Sequence, residues 1–144
     1  MGRDEIIMLM LLDTHAWIWY FKGEERLRQS QSFDKIETSI AQNLLFISAI
    51  SVWELGMLVA KKKIALNEDA LIWTNKTLTR KGMNLAALSP EIAIESNRLP
   101  GSFHSDPADR ILVATARLMD IPLVTADDEI IEYGKLGFVK VVPI

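Results

Sequence analysis

Cysteine is absent from this sequence of 144 residues, so neither a disulfide framework nor a thiolate metal site is open to it. Histidine is scarce, with only His15 and His104. Long hydrophobic runs are missing too. The longest wholly apolar stretch, Ile6 to Leu12, falls far short of the roughly 20 residues that cross a bilayer, so no membrane-spanning segment is expected. Met1-Gly2-Arg3-Asp4-Glu5 sets an acidic pair ahead of that run, no small-residue cleavage signal follows it, and Ile6 breaks the myristoylation pattern. A cytoplasmic chain is the expectation, by exclusion. An excess of positive charge is lacking as well: 16 basic against 19 acidic side chains leave a net charge of -3, which does not advertise nucleic-acid binding. Distribution can restore it. If clustered acids are neutralised by metal, the remainder leans basic, and Lys22, Arg26, Arg28, Lys61 to Lys63, Arg80, Lys81 and Arg98 are available to a phosphate backbone. A lysine run after an amphipathic segment also serves simply as a solvated helix end.

What is present is a pattern of short apolar runs alternating with helical periodicity. The length fits one domain, residues 1–144, with a core of ordinary size. Ile6 to Leu12, ended by Asp13-Thr14, reads as a strand buried on both faces that turns into a helix. Leu44 to Ile47, Met83 to Leu88, Leu123 to Thr125 and Phe138 to Val142 supply further strands. From Glu24 to Gln42 the apolar positions Leu27, Phe33, Ile36 and Ile40 recur at helical spacing, with Ser30 to Ser32 as the place where the segment would divide. Ser51 to Lys62 and Asp69 to Arg80 read as helices, and Ser89-Pro90 starts another with a cap residue followed by proline. Strands separated by helices of this length indicate βαβ units and a mainly parallel sheet covered on both faces.

Four acids stand where such a fold would gather them: Asp13 and Asp127 directly after strands, Glu54 within Ile50 to Ala60, and Asp109 at the opening of Ile111 to Met119. Carboxylates a few ångströms apart repel and raise one another's pKa, so such a cluster expects a divalent cation. Asp106-Pro107-Ala108-Asp109-Arg110 is a helix start, with Asp106 as N-cap and Pro107 at the first helical position. Asp109 could there reach back to the cap amide and be no more than a capping residue. Glu54, flanked by Trp53 and Leu55, could face water or lean over the sheet edge toward Asp13.

These residues carry a resemblance. Leu12-Asp13-Thr14-His15 with Trp19, Ser51-Val52-Trp53-Glu54, His104-Ser105-Asp106-Pro107-Ala108-Asp109-Arg110 followed by Ala114-Thr115-Ala116, and Thr125-Ala126-Asp127 resemble, in order and spacing, the signatures of the PIN-domain family, in particular VapC-like toxins of bacterial toxin-antitoxin pairs. The resemblance implies a small three-layer α/β ribonuclease with Asp13, Glu54, Asp109 and Asp127 as its acidic quartet and the Thr125 hydroxyl beside them. It also implies a small antitoxin partner and a homodimer in which two acidic clefts share one groove.

Clustered carboxylates without cysteine favour Mg²⁺ or Mn²⁺ over zinc. The expected reaction is hydrolysis of an RNA phosphodiester by metal-activated water, with Asp13 and Asp109 as principal anchors, Glu54 orienting or deprotonating the water, and Asp127 completing the shell. Arg110 is expected to pair with a neighbouring acid and hold the quartet's geometry, while His15 and His104 read as polar loop or cap-side residues. Trp17, Trp19, Tyr20 and Phe21 crowd a short segment that one helix cannot turn wholly inward, so they are expected as packing or as the centre of a dimer interface. A cover formed by residues 23–42 is the competing account. Three other functions stay open: a noncatalytic module binding a partner or nucleic acid, a DNA-directed nuclease, and a haloacid-dehalogenase-type phosphatase. The last would need a second acid where His15 stands.

Overall fold

A computed structural model describes residues 6–144, so the acidic pair Asp4-Glu5 lies outside the described residues. Its elements run β1 (Met10–Leu12), α1 (Thr14–Lys22), α2 (Glu25–Arg28), α3 (Phe33–Ala41), β2 (Leu45–Ser48), α4 (Ala49–Ala60), α5 (Ala70–Leu78), β3 (Met83–Ala86), α6 (Pro90–Glu95), α7 (Pro107–Met119), β4 (Leu123–Thr125), α8 (Asp128–Lys135) and β5 (Val141–Pro143). The strands form one sheet in the order β3-β2-β1-β4-β5, every neighbouring pair parallel. The chain winds outward from β1 to β3, then crosses back to place β4 on the other side of β1. The switch point therefore falls between β1 and β4.

Successive strand residues point to opposite faces, which sorts the core into two halves. Met10, Leu12, Leu45 and Ile47 face a layer containing Trp17, Leu27, Ile36, Leu55 and Trp73. Leu11 and Leu123 face a layer with Ile92, Leu112, Val113, Ile130 and Tyr133. Helices cover both faces of the parallel sheet, as its continuous apolar strands require. None of the described helices is long and apolar enough to cross a membrane.

Strand extents are shorter than the apolar runs suggest. β2 offers its first partner, Leu45, opposite Met10, so residues upstream have no ladder to join. Ile6 and Ile7 are 66% and 69% exposed, and the Gln42 amide serves the backbone there, accepting from the Met8 N–H and donating to the Ile6 carbonyl. Phe138 is likewise not in a strand; its ring packs 4.9 Å from that of Tyr133, and β5 begins only at Val141. The segment 24–42 does divide, into α2 and α3, around Ser30 to Ser32.

Trp17 of the aromatic segment is core, and Trp19, Tyr20 and Phe21 are half-buried against it, so the segment packs within the chain rather than standing open as an exposed patch. Trp17 is fully buried, its ring 5.0 Å from Trp73, and its indole N–H donates to the Thr77 hydroxyl at 3.1 Å. Tyr20 stacks on Phe33 of α3 at 5.9 Å, and Phe21 sits edge-on to Trp73. α2 and α3 fold back as the cover that a single helix could not provide for its own aromatic stripe.

Candidate active site

Asp13 is where the switch point and a helix start coincide. Its backbone N–H continues the ladder to the Val124 carbonyl at 3.0 Å, while its side chain caps α1 by accepting from the Ala16 N–H at 2.8 Å. The second carboxylate oxygen accepts from the Thr125 hydroxyl at 2.5 Å. That hydroxyl also accepts from the Asp127 N–H at 3.0 Å, and Asp127 in turn caps α8 through the Ile130 N–H. One buried threonine at the end of β4 thus ties two acids together.

A second hydroxyl bridge fixes Glu54. Thr14 Oγ1 lies 2.5 Å from Glu54 Oε1 and 2.8 Å from Ser51 Oγ. Thr14 has one proton and the glutamate only accepts, so Thr14 donates to Glu54 and the Ser51 hydroxyl supplies its own proton to Thr14. Glu54 therefore leans inward rather than facing water. Asp109 is no cap residue: Asp106 accepts from the Asp109 N–H at 3.1 Å, leaving the Asp109 carboxylate to meet His104 Nε2 at 3.2 Å. Asp13, Glu54, Asp109 and Asp127 all line one open cleft of about 380 Å³, together with Trp19 and Arg26.

Burial raises the Asp13 carboxyl above its ordinary range despite the opposing hydrogen bonds from Thr125 and Ala16. Asp109 is pushed up to about 8, first by burial, then by repulsion from Asp106, Asp127, Glu54 and Asp13. This repulsion tests whether a cation fits. One atom each from His104, Asp109 and Asp127 lie within 4.8 Å of one another. His104 Nε2 is buried and, although close to Asp109, is misaligned for a hydrogen bond, so it lacks a partner among the described residues. Converging oxygens with one orphaned ring nitrogen suit a divalent ion.

The raised Asp109 value predicts a pH dependence. A folded carboxyl near 8 against 3.8 unfolded holds its proton more tightly in the native chain, so that contribution to stability is intact below about 4 and is lost as the pH rises through 8. In EDTA the melting temperature should fall between about pH 6 and about pH 8, and Mg²⁺ should restore more of it at the upper end. Thermal melts across that window check it; a flat profile without metal response would count against this electrostatic picture.

The supporting residues differ in outcome. Arg110 pairs with no acid among the described residues, contrary to the expectation; it donates to the carbonyls of Ser96, Phe103 and His104 at 2.8, 3.1 and 3.1 Å. The loop before α7 has carbonyls with no ladder or helix to satisfy them, and the arginine fork meets that need. It thereby fixes the loop bearing His104, whose Nδ1 is 3.5 Å from Glu129. His15 is exposed, edge-on to Trp19 at 6.1 Å. Lys61 to Lys63 follow the C-terminus of α4 and are exposed. The sequence reading missed Thr14 and Ser51 as positioning residues. The one signal available was a hydroxyl directly after Asp13 and another three residues before Glu54.

Sheet and cleft together define an α/β domain whose carboxylates converge at a topological switch point. The PIN domain profile matches residues 10–136. Ribonuclease VapC22 of Mycobacterium tuberculosis is 33% identical over 118 residues, covering 82% of this chain and 86% of that protein. The chain belongs to the PIN-domain family. Among solved structures, the toxin-antitoxin complex from Klebsiella pneumoniae contains a chain with a TM-score of 0.62 at 26% identity, covering 92% of this chain and 95% of that one. The DNA-bound VapBC from Salmonella typhimurium shares the fold with a TM-score of 0.68 at 15% identity, over 96% of this chain and 98% of that one.

Proposed function

We propose that the chain is a Mg²⁺- or Mn²⁺-dependent endoribonuclease and the toxin of a cytoplasmic toxin-antitoxin pair. The observation that carries this reading is the convergence of Asp13, Glu54, Asp109 and Asp127 on one cleft in a relative of a ribonuclease. Asp13, Asp109 and Asp127 would hold the cation, with His104 Nε2 beside them. When bound, such an ion supplies Lewis-acid stabilisation to a phosphodiester and to the water that attacks it. Glu54 orients that water and takes its proton; Thr14 occupies Oε1 and leaves Oε2 for the task. Thr125 fixes Asp13, and Arg110 fixes the His104 loop. A small antitoxin would place a basic or polar segment in the acidic cleft.

The test is an RNA panel, with DNA alongside, incubated with the partner-free chain in Mg²⁺, Mn²⁺ or EDTA. Time-dependent RNA cleavage that needs the metal and falls about 10²- to 10⁴-fold in Glu54→Gln is the expected result. Binding without product would make the chain a noncatalytic module. Equal cleavage of DNA would leave the ribose without a role.

The homodimer needs a face other than the aromatic segment. An apolar hollow of about 540 Å³ lies beside the cleft, lined by Ile50, Trp53, Met57, Pro107 and Ala108, and shares Glu54 and Asp106 with it. Trp53 is 61% exposed there. A second copy seated on this hollow would bury the indole beside the cleft, the kind of anchor that dominates interfaces. Light scattering should give twice the 16.3 kDa chain mass, dropping to the single mass in Trp53→Glu with helicity retained. A wild-type mass of 16.3 kDa throughout the micromolar range would defeat the dimer.

A further inference from the structure

An acidic cleft that receives a polyanion needs positive charge at its rim, and Arg26 is the one Lys or Arg side chain among the described residues lining it. Its guanidinium lies 5.1 Å from the centre of the Trp19 ring, a cation–π contact, and an N–H donates to the Ile144 backbone oxygen at 3.4 Å. No described Asp or Glu side chain pairs with it, so it is not spent on neutralising the quartet. Trp19, half-buried and crossed at its edge by His15, holds the guanidinium rather than offering that face to a base.

Arg26 also lines a second hollow, of about 760 Å³, where Gln29, Ser30 and Lys35 supply further donors to a sugar–phosphate chain. The two hollows meet at this arginine. Resting on the ribonuclease reading, we propose that Arg26 grips the RNA phosphate adjoining the scissile one and directs the strand from the catalytic cleft into the groove between α2, α3 and the end of β5. Trp19 is then the positioning residue for that grip. An arginine suits the task because its fork bonds phosphate oxygens in a fixed geometry while its planar face rests on the indole.

Salt dependence reads phosphate contacts directly, since each contact to single-stranded RNA contributes about 0.7 to the slope of log affinity against log salt. Binding of a labelled single-stranded RNA is measured by anisotropy in Mg²⁺ across a KCl series, in a Glu54→Gln background that suppresses turnover. Adding Arg26→Gln should flatten the slope by about 0.7 and weaken binding across RNA sequences. Arg26→Lys should keep the slope, and Lys63→Gln, an equal charge change at the far end of α4, should leave it unaltered. An unchanged slope in Arg26→Gln, or the same flattening in Lys63→Gln, overturns the proposal. So does an unchanged slope with weaker retention of a copurifying antitoxin, which would assign the arginine to that partner. Wild-type chain that cleaves RNA while the slope stays put fails this proposal alone; a chain that neither cleaves nor binds RNA fails both.

Discussion

Asp109→Asn should lose metal-dependent RNA cleavage by on the order of 10³-fold and yet melt higher than the wild type in EDTA at about pH 8. The two effects have one origin. Asp109 sits among Asp106, Asp127, Glu54 and Asp13, and its carboxyl is pushed up to about 8 by burial and by their repulsion. Asparagine keeps the shape and removes the charge, so the native state without metal no longer opposes ionisation at that position. A gain of about 1 kcal/mol would raise the melting temperature by roughly 2–4 °C in a chain of this size. Activity assays and melts on the same preparation check both halves. Loss of activity together with loss of stability would show a folding lesion instead, and retained cleavage would remove Asp109 from the site.

Asp13 yields the complementary comparison. Asp13→Asn and Asp13→Ala should both abolish cleavage, with a drop again on the order of 10³-fold, but only the alanine should weaken the fold. The Asp13 side chain caps α1 through the Ala16 N–H, a role that asparagine performs as well as aspartate. Alanine leaves that N–H and the Thr125 hydroxyl without their partner, at a cost of about 1–2 kcal/mol. Chemical denaturation separates the variants. Full Mg²⁺-dependent activity in purified Asp13→Asn would sink the assignment of this residue.

The sheet was legible because most of its strands carry a short apolar run closed by a turn residue, and Leu123 to Thr125 was read to the residue. Ends were less legible. Ile6 and Ile7 look like strand, but only a partner can make them one, and partners lie far away in sequence. α8 was not anticipated, although Asp127 as cap and Ile130 and Tyr133 at helical spacing were there to be read; the short interval before β5 hid it. The four acids could be named from local context because each stands at the end of a strand or on a helix beside one. Their hydroxyl supports could not. Thr14 and Ser51 are ordinary helix-start residues until tertiary structure brings α1 and α4 together. The aromatic segment left packing, interface and cover open together, because one helix's pattern does not say which later elements close over it; α2, α3 and Trp73 of α5 do so here.

The Thr125 bridge also bears on timing during synthesis. It joins residues 112 positions apart, and the strand that carries it slots in beside the first strand only after everything between them has been translated. Contacts of such long sequence separation form late in folding. The quartet is therefore incomplete on any nascent chain that has not reached Asp127, however well its earlier helices have formed. Competence to cleave is thus tied to the docking of β4 beside β1, and not to the formation of the helices that precede it.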